Sequence, residues 1–91
     1  MIRHAQVRKY ATREMLSIEG CKHAVYGIRY NGEHGTVEEL ANTTKEIVYF
    51  YTDEAFQSYV TNLRMKYNTF KNFNIYAVHR EDYSGNSHLI S

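Results

Sequence analysis

The chain has no proline and no tryptophan, one cysteine and five glycines among its 91 residues. Each shortage excludes something. Without proline no turn depends on a locked φ, and no slow prolyl isomerisation step is expected in folding. With Cys21 alone there is no intrachain disulfide framework, the usual support of small secreted domains. No apolar run approaches the roughly 20 residues of a membrane-spanning helix. The opening residues MIRHAQVRKY hold no apolar stretch of signal-peptide length. The expectation is a reduced, intracellular chain with no membrane partner, located in the cytoplasm (the host cell's, if the chain is phage-derived).

Catalytic and ligand motifs are scarce as well. There is no HExxH and no CxxC, and Gly32 and Gly35 lack the lysine and the strand-to-helix setting of a phosphate cradle. Five histidines stand out for this length: His4, His23, His34, His79 and His88. His34 and Glu38 are spaced as a metal pair on a helix, but Gly35 interrupts that helix. Cys21 and His23 supply two donors where a site needs three or four. No metal site, no cofactor and no assigned catalytic residue are expected, and the chain is read as a non-enzyme.

What is present is a globular composition, 43% hydrophobic and 23% charged, sufficient for one domain over residues 1–91. Nine tyrosines combine a large apolar body with a polar tip, which suits half-buried sheet faces and binding surfaces alike. The net charge of +1 conceals segments: +4 over 1–30, −5 over 31–63 and +2 over 64–91. Segregated charge steers partners more than it sets the fold.

Periodicity predicts a helix over residues 4–18, with Val7, Tyr10, Ala11, Met15 and Ile18 on one face and Gly20 as its stop. His23 to Tyr30 reads as a strand, with Ala24, Tyr26, Ile28 and Tyr30 on one side and Val25, Gly27 and Arg29 on the other. Gly27 marks a bulge or a close backbone approach. Asn31-Gly32 signals a turn. Residues 36–42 fit either a short helix, through a capping box at Thr36–Glu39, or a second hairpin strand.

The strongest pattern is strand, helix, strand over 45–80, which holds nine of the thirteen aromatic residues. Ile47 to Tyr51 is apolar on both faces and reads as a central strand. Thr52, Asp53 and Glu54 cap a helix whose stripe is Phe56, Tyr59, Val60, Leu63 and Tyr67. Phe73, Ile75 and Ala77 share a face of the last strand, which ends at His79-Arg80, and residues 82–91 read as a loose tail. The expected fold is α+β: a small mixed or antiparallel sheet of three to four strands, an N-terminal helix, and a β-α-β unit over 46–80. Helices are expected to cover one face, and Val48 and Phe50, on the face away from the 56–67 stripe, need cover from the N-terminal helix or from a second copy in a homodimer.

The functional expectation is a small protein-binding module, an accessory protein of a phage or mobile element that inhibits or modulates a host protein. Its candidate contact residues are Arg3, Arg8, Lys9 and Arg13, since arginine and tyrosine recur at binding hot spots. The same residues carry the alternative, a nucleic-acid-binding module in which the cations neutralise phosphates and Tyr10 stacks on a base. A third reading is a small metal-independent nuclease using His23 and His79 as base and acid and Arg80 on the phosphate, with His79 and Arg80 as a weak candidate site at the strand end. It requires the two histidines to converge.

Overall fold

The structure, a computed structural model, describes residues 4–83. It is an α+β domain with an N-terminal helix α1 (His4–Ser17), strands β1 (His23–Gly32), β2 (Gly35–Leu40) and β3 (Val48–Phe50), helix α2 (Asp53–Lys66) and strand β4 (Lys71–His79). Short 3-10 turns cover Thr44–Glu46 and Arg80–Tyr83. None of the described helices is long and apolar enough to cross a membrane.

All strand pairs are antiparallel, and all involve β1. β4 lies along one edge of β1. β3 and β2 lie end to end along the other, β3 against His23–Val25 and β2 against Gly27–Gly32. The central strand is therefore β1, not the 47–51 segment. β3 is a three-residue edge strand, and its apolar two-sidedness comes from helices on both faces. β3 and β4 run parallel, as the β-α-β pattern predicts, but β1 sits between them instead of letting them pair.

The helices lie on opposite faces, which corrects the one-sided arrangement. α1 covers Ala24, Tyr26, Ile47, Tyr49, Tyr76 and Val78 with Val7, Ala11 and Met15. α2 covers Val25, Val48, Phe50, Ile75 and Ala77 with Phe56 and Val60. Val48 and Phe50 thus find their cover in α2 and need neither α1 nor a second subunit. Fully burying a side chain of this class contributes about 1.5–3 kcal/mol relative to exposure.

α2 forms as its sequence dictates. The Thr52 hydroxyl accepts from Ala55 N–H at 3.1 Å, two acids occupy the first turn, and Arg64 and Lys66 occupy the last. α1 matches its predicted span but is rotated: Thr12 is buried and Tyr10 is not. Thr12 tolerates burial because its hydroxyl donates to the Arg8 carbonyl at 2.8 Å. The helix ends before Gly20, whose φ of +81° suits glycine.

Gly27 sits at a bulge, as its sequence context predicts. The β1–β4 register jumps between Val25 and Gly27, leaving Tyr26 as the extra residue. Beyond it the alternation inverts. Ile28 pairs with Ile75, and Tyr30 meets Tyr67 and Phe70, so both lie on the α2 side and not with Tyr26. Residues 36–42 resolve as strand β2, with Glu33-His34 at the hairpin tip. The carboxylate of Glu46, not Glu39, accepts from backbone N–H groups, those of Asn42 and Thr43. Tyr83 packs against the α1-side core, so order extends past residue 82, while the rest of the expected tail lies outside the described residues.

Candidate functional site

The basic residues of α1 divide. Arg3 lies outside the described residues. Arg8 turns toward Tyr26 and Tyr83, and the Tyr26 hydroxyl does most to hold its guanidinium above the usual range. The Tyr26 phenol is itself raised by burial and drawn back by Arg8, and its oxygen lies 2.8 Å from His4 Nε2. Arg8, though exposed, and the half-buried His4 thus both engage Tyr26.

Lys9 and Arg13 project outward with Tyr10, which is 45% exposed. The Tyr10 hydroxyl bonds the Thr44 hydroxyl, pinning the ring across the gap between α1 and the 41–47 connector. On one side of the ring is a depression of about 450 Å³ floored by Val7, Ala41 and Ile47. On the other are Lys9, Arg13 and Glu14. An apolar socket, an exposed aromatic ring and two cations are thus contiguous.

Arg80 does not belong to a strand-end site. Its Nε donates to Cys21 O at 2.5 Å, and one Nη donates to Met15 O, Leu16 O and Ile18 O at 3.0, 3.3 and 2.8 Å. These carbonyls lie at and just past the C-terminal end of α1, where a helix leaves acceptors without donors. Arg80 is a structural cap, which removes the phosphate ligand from the three-residue nuclease site.

His23 and His79 do converge. They are cross-strand partners on β1 and β4, and their Nδ1 atoms lie 2.9 Å apart. His23 Nε2 lies 2.7 Å from Asp53 Oδ1 in the first turn of α2. Phe56 orders both rings, stacking on His23 at 4.3 Å and meeting His79 edge-on at 5.3 Å. The carboxylate can only accept, so His23 Nε2 carries a proton and donates it. Neutral His23 then has a bare Nδ1 that accepts from His79 Nδ1–H, and His79 Nε2 is left without a proton. Asp53, held below the usual carboxylate range first by the His23 hydrogen bond and then by the charge of Lys22, stays ionised at neutral pH.

His79 lines a cleft of about 300 Å³ between α2 and β4, together with Gln57, Arg64, Phe73 and Asn74 over a floor of Val60, Ile75 and Ala77. Among the described residues Arg64 has no carboxylate within ion-pair distance. Sequence reasoning missed Asp53, Phe56 and Arg64 as site residues, because each has an adequate local role in α2. The register of β1 against β4 brings 23 and 79 together, and that of β1 against β3, with His23 opposite Phe50, sets the start of α2 and Asp53 beside them.

The other ligand pairs do not form. His34 is at a hairpin tip and Glu38 on a strand. The buried Cys21 thiol lies 3.5 and 3.6 Å from the carbonyls of His23 and Phe50. No group of three or more possible metal ligands converges among the described residues. Comparison with known proteins finds no matching family model, no matching curated protein and no matching solved structure.

Proposed function

We propose that this chain is a small intracellular protein-binding module of the phage or mobile-element accessory type, which modulates a host protein through the outer face of α1. The observation that carries this reading is the exposure of Tyr10 between an apolar socket and the Lys9–Arg13 pair. Such a surface fits an acidic segment that presents one apolar side chain: the side chain enters the socket against Val7 and Ile47, and its acidic neighbours meet the cations. Tyrosine and arginine are enriched at interface hot spots and often dominate the energetics.

The exposure of Tyr10 also favours the nucleic-acid alternative, since the ring is available to stack. The socket favours the protein partner. Of the α1 cations, Lys9 and Arg13 flank the ring, and two phosphate contacts give a salt slope of only about −2. An apolar socket, by contrast, has no use on a phosphate backbone.

Affinity capture from host extract should compare wild type with Tyr10→Ala and with the Lys9→Ala/Arg13→Ala double variant. A partner retained by wild type and released by both variants supports the reading, with the Tyr10 change expected to weaken binding by about 30-fold or more, the range of a hot spot. A partner held equally by all three proteins would place the interface elsewhere. A mobility shift of nucleic acid that disappears in the double variant would favour the alternative.

A further inference from the structure

The α2-side cleft lies across the sheet from the α1 face, and its chemistry is independent of the binding reading. We infer that Asp53, His23 and His79 form a proton relay that leaves His79 Nε2 as a general base in the cleft between α2 and β4, acting on single-stranded RNA. The geometry carries it. One imidazole is half-buried at the cleft, the second is nearly enclosed behind it, and a carboxylate with 68% of its side chain exposed terminates the chain.

The array does what a lone histidine cannot. A proton taken up at His79 Nε2 releases the Nδ1 proton to His23 Nδ1. The positive charge then sits on His23, 2.7 Å from the Asp53 carboxylate. A carboxylate that orients an imidazole and stabilises the imidazolium is the part an aspartate plays in hydrolase triads. His23 and Asp53 are positioning residues, and His79 is the catalytic residue.

RNA is the substrate class because it brings its own nucleophile. His79 Nε2 removes the proton of a 2′-hydroxyl, and the 2′-oxygen attacks the adjacent phosphorus. The bond from phosphorus to the 5′-oxygen breaks, and that oxygen receives a proton by way of solvent. The products are a 2′,3′-cyclic phosphate and a 5′-hydroxyl, with no net gain or loss of protons and no redox change. Arg64 lies eleven residues beyond Asp53, about 16 Å along the helix axis. It therefore serves a neighbouring phosphate, not the one that reacts, while Phe73 in the same cleft already stacks on Tyr67 at 5.1 Å, so that a base would extend an existing stack. An extended single strand satisfies both ends of the groove, whereas a compact phosphate ester reaches only one.

Two measurements test this. Nitrogen-15 NMR of the imidazoles should show His79 as the Nδ1–H tautomer, and a proton on Nε2 at neutral pH would overturn the proposal. A fluorescently quenched single-stranded RNA should be cut to a cyclic phosphate end, while the all-2′-deoxy strand stays intact. His79→Gln should slow cleavage by about 100-fold or more, the usual scale for a general base. Asp53→Asn should lower the rate and move the acid limb of the pH–rate profile to lower pH, because the imidazolium loses its counter-charge. A merely structural role would leave that limb in place. Intact RNA with the wild-type protein, equal cutting of DNA, or full activity in His79→Gln would each refute the assignment.

Discussion

Arg80 offers the sharpest test of how the fold is held. Its guanidinium donates to four main-chain carbonyls, those of Met15, Leu16, Ile18 and Cys21. It thereby ties the end of α1 to the end of β4, where Arg80 N–H also donates to Lys22 O at 2.8 Å. Truncation to alanine keeps that backbone bond and removes the other four. A hydrogen bond from a charged group contributes about 1.5–3 kcal/mol, but the four share one partly exposed guanidinium, and water can replace some of the lost donors. A net loss of about 3 kcal/mol is the resulting expectation, a large share of the 5–15 kcal/mol typical of a domain. At about 4–8 °C per kcal/mol for a domain of this size, Arg80→Ala should lower Tm by about 12–24 °C. Arg80→Lys keeps a charge at the helix end, worth about 0.3–1 kcal/mol, but not the planar fork, so it should fall between alanine and wild type. Thermal melts followed by circular dichroism decide the matter. A drop of less than about 4 °C for Arg80→Ala, under 1 kcal/mol by the same conversion, would refute the capping role.

The same melts reach three other positions. A Cβ at Gly27 would lie 2.6 Å from Glu39 O and 2.8 Å from Leu40 Cδ2, so Gly27→Ala must part β1 from β2 and should cost about 2–3 kcal/mol in urea unfolding. The Tyr49 hydroxyl is buried with no partner among the described residues, so Tyr49→Phe should stabilise by about 1 kcal/mol. Burial pushes that phenol up to about 12, with Glu14 adding to the effect. The folded chain keeps its proton while the unfolded chain releases it near 10, so wild-type stability falls between pH 10 and 12 more steeply than that of Tyr49→Phe. Asp53 is lowered instead, so its contribution is present above the ordinary carboxylate range and is lost as pH falls through the depressed value. Asp53→Asn should therefore differ from wild type in Tm at pH 7 and converge with it in strong acid.

How much of the fold was legible depends on whether the cause is local. α2 could be read almost completely, since its cap, its charges and its Phe56–Val60 stripe lie within fourteen consecutive residues. The β1 faces could be read only as far as Tyr26. One extra residue inverts everything downstream, and Gly27 announces a bulge without saying which residue is displaced. Tyr10 and Thr12 exchanged roles because a buried threonine with an i−4 carbonyl partner costs little, while the Tyr10 hydroxyl found Thr44 across 34 positions. The centrality of β1 was hidden for another reason. Ile47 to Tyr51 is apolar on both faces and so looks like the middle strand, although only Val48–Phe50 form a strand there, along one edge of β1.

The placement of His23 connects fold to function. A histidine only 8% exposed, with both ring nitrogens engaged, ties β1 to β4 and to the first turn of α2. An apolar pair of similar volume would fill the space without a desolvation cost. His79 and Arg64 line the same cleft, on the side of the sheet away from Tyr10, Lys9 and Arg13. With the whole sheet between them and no shared partners, changes on the two surfaces should act independently. Tyr10→Ala should leave RNA cleavage and the His79 tautomer untouched, and His79→Gln should leave partner capture untouched. Coupling between them would mean that the two faces serve one ligand that wraps the edge of the sheet, and the division of labour argued from the layered fold would have to be abandoned.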